Sequence, residues 1–138
     1  MPIPVRVVSV EALLFEGDAD FVLATGADGE LGILPNHAPL LTTLKPGPLR
    51  IDSEGKSEEI FVGGGFLEVL PERVTVLADV AERADEISEE RAEASRKAIQ
   101  ERLSEARELS PGERLDMEAA LAMAEARLRM ARMRRGGG

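Results

Sequence analysis

The chain has 138 residues, a formal net charge of −9, 43% hydrophobic residues and only 3% aromatic residues. This length fits one modest domain plus an appendage, with a core built from Val, Leu, Ile and Ala. The acidic balance argues against a nucleic-acid partner, and the absence of cysteine excludes disulfides and thiolate zinc sites. No apolar stretch approaches the roughly 18–20 residues of a membrane span, and the first residues lack a signal-peptide run, so we expect a soluble protein.

Charge is unevenly distributed along the chain. Residues 1–80 carry 5 Lys/Arg and 13 Asp/Glu, whereas residues 119–138 carry 5 Arg and 1 Glu. The basic end consists of Arg127, Arg129, Arg132, Arg134 and Arg135. A helix C-terminus favours cations, but five exceed what its dipole needs, so the alternatives are a solvated helix end or an acidic protein partner.

The first part of the chain is predicted to form short β-strands separated by turns. The predicted strands cover residues 3–10, 19–25, 29–34, 40–44, 49–52, 58–62, 66–70 and 73–78. We expect turns at Glu16-Gly17-Asp18, at Pro35-Asn36-His37 and at Lys45-Pro46-Gly47-Pro48, and hairpins at 53–56 and 71–72. Strands at this spacing indicate a sandwich or flattened barrel.

The Gly63-Gly64-Gly65 run lies between two predicted strands. It lacks the Gly-Lys-Ser/Thr ending of a phosphate loop and does not open a helix. A bulge or a close backbone approach is therefore the favoured interpretation.

From Ser88 onward the composition of Ala, Glu, Arg, Leu and Met is typical of helices. Ser88 is predicted to cap a first helix that runs to about Glu108, and Ser110-Pro111-Gly112-Glu113 predicts the capped start of a second, reaching about Arg135. One apolar stripe follows each helix: Ala92, Ile99, Leu103 and Ala106 on the first, and Met117, Leu121, Ala124, Leu128 and Ala131 on the second. The short connection predicts antiparallel neighbours that pack weakly enough to detach.

The sequence contains no recognisable catalytic constellation. His37 is the single histidine and has no second ligand at metal-binding spacing, and no serine lies in a nucleophile-elbow pattern. The methionines of the second helix are interpreted as packing residues rather than metal ligands. These observations favour a protein that is not itself an enzyme.

Two long segments resemble the signature segments of the epsilon subunits of bacterial-type F-type ATP synthases. The first runs from Gly29 to Leu40 (GELGILPNHAPL), and the second joins residues 64–69 (GGFLEV) to residues 74–79 (VTVLAD). The resemblance continues through residues 81–84 and the alanine-rich helices, so it covers nearly the whole chain.

This resemblance implies an α+β fold, in which a ten-stranded antiparallel β-sandwich (residues 1–84) precedes an antiparallel two-helix hairpin (residues 85–138). It implies a non-catalytic central-stalk subunit that binds the gamma subunit and the c-ring, and whose helices reach the alpha/beta subunits to inhibit ATP hydrolysis. Glu30, Leu31 and His37 would contact the c-ring, and the basic end would meet an acidic segment of the beta subunit. The location implied is peripheral, at the cytoplasmic side of the plasma (inner) membrane, reached only through the complex.

Some members of this family bind ATP in the folded hairpin through an Ile/Leu-Asp-x-x-Arg-Ala motif. Here the segment is Ile87-Ser88-Glu89-Glu90-Arg91-Ala92, in which Ser replaces the Asp, and the position of a later Arg is Ala98. Glu82, Ile87 and Arg91 match the family pattern. The resemblance thus predicts weak or absent ATP binding and no other cofactor.

Two alternatives belong to other classes of protein. A stand-alone nucleotide-binding regulator would bind nucleotide or turn it over without a partner. A free-standing coiled-coil adaptor would not explain why most of the chain carries strand patterns and both signature segments.

Overall fold

The computed structural model of the protein describes residues 2–105 and 108–136, with side chains described as far as Met133. The chain divides into two compact units, Met1–Ala84 and Asp85–Gly138, and each is considered by itself below.

Residues 2–84, the described part of the first unit, contain eight strands. They are β1 (Ile3–Ser9), β2 (Leu13–Ala19), β3 (Phe21–Gly26), β4 (Gly29–Ile33), β5 (Leu40–Ser53), β6 (Lys56–Leu70), β7 (Arg73–Ala78) and β8 (Ala81–Arg83). The pairing order is β2-β1-β7-β6-β5-β3-β4, and β8 pairs with β6.

The two long strands belong to both layers of the sandwich. The second half of β6 pairs with β7, whereas residues Ile60, Phe61 and Val62 in its first half pair with β8. Likewise β5 pairs with β6 along its length, but its second half also pairs with β3. Each layer therefore contains five strand segments, and counting β5 and β6 once in each layer reconciles eight strands with the ten implied by the family.

Alternate residues of the strands build one core between the layers. The fully buried side chains include Val7, Val22, Ile33, Ile51, Ile60, Leu67, Val74 and Val76. Because successive side chains on a strand point to opposite faces, the two-residue periodicity of these segments determines which side chains are buried. Burying each such aliphatic side chain contributes roughly 1.5–3 kcal/mol, so the core stabilises a stiff body.

The structure corrects three predictions about the strands. Glu16-Gly17-Asp18 is not a turn but the middle of β2, an end strand of the pairing order whose exposed Glu16 forms a 3.1 Å ion pair with Arg6 of β1. The pattern resembles a turn because an edge strand tolerates glycine and charged residues. The sheet is also not wholly antiparallel, since β1 pairs with β7 in parallel.

The third correction concerns the predicted break at residues 45–48, which lies inside the continuous strand β5. The carbonyl of Pro48 accepts a hydrogen bond from the Thr25 hydroxyl (3.1 Å), so this edge of Pro48 faces β3. The β3–β5 register shifts between Leu23 and Gly26, so the proline rings lie where the regular ladder is interrupted. Because proline has no backbone N–H, a proline at this point removes no hydrogen bond of the regular β3–β5 ladder.

The glycine run confirms the prediction of a close backbone approach. Gly64 and Gly65 have φ values of 95° and 135°, which side chains rarely adopt. A Cβ on Gly65 would collide with the carbonyl oxygen of Leu77 and lie 2.9 Å from the Cα of Ala78. Glycine at this point lets β6 leave β7 and pass from one layer to the other while remaining paired with β5. The two hairpins also form as predicted, and Glu54 and Gly55 both have positive φ in the first.

The second unit contains α1 (Glu89–Glu105) and α2 (Pro111–Gly136), preceded by a short 3-10 turn at Ala84–Glu86. Both predicted N-caps are confirmed: the Ser88 hydroxyl accepts from the Arg91 N–H (3.2 Å), and the Ser110 hydroxyl accepts from the Glu113 N–H (3.1 Å). Glu108 lies in a bend rather than in α1, and Ala106 of the predicted stripe lies outside the described residues. Arg132, late in α2, pairs with Glu89 in the first turn of α1, so the helices are antiparallel.

Candidate interaction surfaces

The residues predicted to contact a c-ring lie on β4 and on the loop after it. Glu30 is exposed near the start of β4, and Leu31 is half-buried against the core. His37 lies in the loop of residues 34–39, where its Nδ1 is 2.8 Å from the Ala38 carbonyl oxygen and its backbone N–H donates to Leu34 (3.1 Å). Glu30 is about 10 Å from Ile33 at the end of the strand, because each residue advances the chain by about 3.3 Å. The structure therefore places Glu30 and His37 at opposite ends of β4 and not on one loop.

The His37 loop borders a cavity of about 350 Å³. Its walls include Pro4 of β1, Ile33 and Leu34, and Leu70 and Glu72 of the β6–β7 turn. Leu34 is one of the exposed large hydrophobic residues of the chain. The rim of the cavity is thus mostly apolar, and its polar side chains are Asn36 and His37 of the loop and Glu72 of the β6–β7 turn.

A second surface, which sequence reasoning missed, crosses the outer face of one sandwich layer. Register pairs link Leu13 to Val8, Val8 to Leu77, and Leu77 to Phe66, so these four residues form one row across β2, β1, β7 and β6. Leu13, Leu77 and Phe66 are 48%, 53% and 51% exposed. We call these four residues the apolar row. It extends to Thr43 on β5, and exposed Leu41 lies two residues from Thr43 on the same strand.

A signal for the apolar row is present in the sequence. In Phe66-Leu67 and in Val76-Leu77 the apolar residues are consecutive, so one of each pair must face outward while Leu67 and Val76 enter the core. A strand that is apolar on both faces indicates that both faces are covered. The register of four strands was needed to show that the outward residues line up, and an exposed apolar patch of this kind marks an interaction site.

The predicted basic surface at the end of α2 is not uniform. Arg129 is exposed, whereas Arg127 is half-buried. Arg132 is exposed but already paired, since its Nε lies 3.3 Å from a Glu89 oxygen and its Nη2 lies 3.1 Å from a Glu93 oxygen. Arg134 and Arg135 belong to α2, and their side chains lie outside the described residues.

Glu93 joins Arg132 to a second arginine. The Arg96 guanidinium donates two hydrogen bonds to the Glu93 carboxylate, the shorter 2.6 Å long. This hydrogen bonding is the main reason that the pKa of Glu93 is lowered from its ordinary value, with the charges of Arg96 and Arg132 acting in the same direction. The pKa of Arg96 is raised chiefly by the same hydrogen bonding and also by the charge of Glu125 on α2.

The three residues that match the family's nucleotide motif belong to different units. Glu82 is half-buried on β8 in the first unit, and Ile87 and Arg91 lie at the start of the second. Ser88, which stands at the Asp position, uses its hydroxyl to cap α1. Weak or absent ATP binding stays a prediction.

Neither a metal centre nor a membrane-crossing helix was found in the part of the chain that the structure describes. Within residues 2–105 and 108–136, no three His, Cys, Asp or Glu side chains cluster as a metal site would require. Over the same residues, each helix is too short or too polar to cross a bilayer.

Comparisons with known proteins agree with this architecture. The family model of the β-sandwich domain of the ATP synthase delta/epsilon chain matches residues 2–84. The ATP synthase epsilon chain of Laribacter hongkongensis is 55% identical over 104 residues, covering 74% of each chain. The epsilon chain of Acidithiobacillus ferridurans is 49% identical over 134 residues, covering 97% of this chain and 90% of its own.

A solved structure extends the comparison to the fold. A chain in the mitochondrial ATP synthase of Euglena gracilis superposes with a TM-score of 0.76 over 91% of this chain and 78% of its own, at 23% identity. A β-sandwich with a C-terminal helix pair, matched across almost its whole length by such relatives, defines a class of ATP synthase subunits. The chain belongs to the ATP synthase epsilon-chain family.

Proposed function

We propose that this chain is a non-catalytic central-stalk subunit of a proton-translocating ATP synthase, which couples c-ring rotation to ATP synthesis and restrains ATP hydrolysis through its C-terminal helices. The apolar row carries this proposal. A small acidic chain that exposes Leu13, Phe66 and Leu77 side by side needs a partner to cover them.

The gamma subunit is the partner proposed for the apolar row. A subunit that transmits torque must be held by a broad contact on a body that does not deform, and the row lies on strands whose inner faces form the packed core. Four adjacent strands about 4.8 Å apart give a row about 15 Å long, enough to seat one helix or strand of a partner.

The His37 loop and the cavity beside it are proposed to face the c-ring. The sequence predicts Glu30, Leu31 and His37 for this contact, and we place its centre at the loop that follows β4. Leu31 is directed towards the core, so we expect it to support the strand rather than to touch a partner. Glu30 would contact the c-ring only through the opposite end of β4.

The basic end of α2 is proposed to hold the helices against an acidic segment of the alpha/beta subunits. Arg129 is exposed, and Arg132 is held by two ion pairs at the protein surface that another carboxylate can replace. Such contacts weaken with salt and are reversible, as a regulator of hydrolysis requires. The active sites would belong to other subunits, and the chain would be peripheral at the cytoplasmic side of the plasma membrane through the complex alone.

Binding to gamma is tested by co-purification. The full chain and a fragment of residues 1–84 should both be retained by gamma, because the row lies wholly within the first unit. Phe66→Glu with Leu77→Glu should abolish retention, whereas the control Arg6→Glu with Glu68→Arg, on β1 and β6 of the same layer, should not. Retention of the row variant at the level of the unaltered chain would contradict this assignment.

Inhibition is tested by assembling the chain with alpha, beta and gamma subunits and measuring ATP hydrolysis. Replacing Arg127, Arg129, Arg132, Arg134 and Arg135 by Ala should raise the rate severalfold, and the inhibition by the unaltered chain should fall at 1 M salt, where the Debye length is about 3 Å. As a control, Arg91, Arg102 and Arg114 replaced by Ala remove positive charge from elsewhere on the helices. If the complex hydrolyses ATP at the same rate with and without the five arginines, the proposed contact is wrong.

A further inference from the structure

Four charged side chains meet at the open end of the helical hairpin. Glu89, Glu93 and Arg96 lie in the first two turns of α1, and Arg132 lies near the end of α2. Arg132 spans the two glutamates at 3.3 and 3.1 Å, and Arg96 holds the other oxygen of Glu93 at 2.6 Å. We call this group the acid–base clasp.

The position of the clasp gives it a particular mechanical effect. At the other end of the hairpin the chain itself keeps α1 and α2 together, because Glu108, Leu109 and Ser110 connect directly into α2. At the open end only side-chain contacts oppose separation. Among the described residues of α1 the one buried side chain is Ala92, whose small surface stabilises little. Leu128 and Met130 of α2 are also buried near this end, and the ion pairs of Arg132 add to this apolar burial.

Arg132 presents two of its five donors to the clasp, Nε and Nη2. These two atoms form one of the two guanidinium faces that offer parallel N–H donors, so a carboxylate from another subunit that binds this face displaces Glu89 or Glu93 from it. Closing the hairpin and binding an acidic partner through Nε and Nη2 thus compete for the same two donor atoms of Arg132.

We infer that the acid–base clasp is an intramolecular switch, in which Glu89 and Glu93 occupy Arg132 while the hairpin is closed and release it to an acidic segment of a partner subunit when the hairpin opens. The second half of this inference rests on the proposed function, whereas the first half concerns the isolated chain. The lowered pKa of Glu93 agrees with a carboxylate that stays ionised and paired in the closed hairpin.

The isolated full-length chain provides the first test. Because the sequence contains no cysteine, Ser95→Cys and Ala122→Cys, both exposed, give a unique pair of spin-label sites on the two helices. Glu89→Gln with Glu93→Gln should raise the ratio of separated to closed hairpins about two- to fivefold, since exposed ion pairs are individually weak. The difference from the unaltered chain should shrink at 1 M salt.

Glu90→Gln with Glu101→Gln is the matched control. It removes the same charge and also takes one glutamate from the first turn of α1, so it reproduces the loss of favourable helix-dipole interaction. It should leave the distance distribution unchanged. If the acid-pair variant, Glu89→Gln with Glu93→Gln, separates the two helices no more than this control does, the clasp is wrong.

A double-mutant cycle separates the ion pairs from other effects of the substitutions. Arg132→Gln should open the hairpin by itself, and adding Glu89→Gln and Glu93→Gln to it should change little further. If the acid-pair substitutions open the hairpin just as much without Arg132, the clasp is wrong. Helix content by circular dichroism in the same samples shows whether α1 itself remains folded.

The competition is tested in the complex with alpha, beta and gamma subunits. Glu89→Gln with Glu93→Gln should lower ATP hydrolysis below that of the unaltered complex, because it frees Arg132 for the partner, whereas Arg132→Gln should raise it. If the acid-pair variant opens the isolated hairpin but leaves hydrolysis unchanged, the clasp stands and the competition is refuted. If the unaltered chain does not inhibit at all, the proposed function fails, and the spin-label distances still decide the clasp.

Discussion

The β-sandwich and the helical hairpin bury different kinds of side chain. In the sandwich the buried set consists mainly of Val, Leu and Ile from both layers, and all of it except Phe61 and Ala84 belongs to one cluster. In the hairpin α1 buries Ala92 alone among its described residues, and three of the five buried residues of α2 are alanines. The first unit is therefore stabilised by apolar area, and the second depends much more on caps and ion pairs.

This difference matches a division of labour between the units. A part that transmits torque has to resist deformation, and a closely packed interior of branched side chains does so. A part that switches has to have two states separated by only a few kcal/mol, and weak surface interactions keep the gap small. The protein combines both properties by placing them in separate units rather than by compromising within one.

The largest expected effect comes from a cavity-forming substitution in the core of the sandwich. Leu67→Ala removes a fully buried side chain and should lower the free energy of unfolding of the first unit by about 2–5 kcal/mol. Leu121→Ala, at a half-buried position of α2, should cost the second unit much less. If the two substitutions lowered the free energies of unfolding of their units equally, the sandwich would not depend on its apolar core more than the hairpin does.

Leu77→Ala is the control for this measurement. Leu77 lies on the neighbouring strand β7 but points outward, so its truncation should change stability by no more than about 0.5 kcal/mol. Because the chain contains neither Trp nor Tyr, unfolding by denaturant is best followed by circular dichroism, with strand and helix signals analysed separately.

A smaller effect is expected from acid. The pKa of Glu93 is lowered in the closed hairpin, first by hydrogen bonding from Arg96, so the ionised form is favoured there relative to the unfolded chain. Its contribution is present above the ordinary glutamate pKa of about 4.3 and is lost as the pH falls through the lower value of the closed state. The helix signal should therefore melt at a lower temperature in acid than at neutral pH.

Glu93→Gln should remove part of this pH dependence, because an amide cannot titrate. Glu101→Gln, an exposed change on the same helix, should retain it. If the two variants respond to pH in the same way, Glu93 does not account for the effect.

Local signals predicted most of the elements, and the errors share one cause. Ser88 and Ser110 predict where the two helices begin, because an N-cap is a contact between residues three apart in the sequence. The Glu16-Gly17-Asp18 segment and the prolines of β5 were misread because what makes them strands is a neighbour far away in sequence. Arg6 pairs with Glu16, and Thr25 of β3 donates to Pro48.

The candidate surfaces divide in the same way. The basic end of α2 and the His37 loop are visible in the sequence, since each is a run of nearby residues. The apolar row requires the register of four strands, and the clasp requires the phase of two helices, neither of which is encoded locally.

By itself the sequence determined a strand-rich unit followed by two capped helices, the net charge and its reversal at the C-terminal end, and the signature segments of the family. Only the tertiary structure decided which apolar side chains stay outside the core and which arginine of the basic end is already paired. Periodicity and capping act over a few residues, whereas exposure and ion pairing depend on what packs against a side chain from distant parts of the chain.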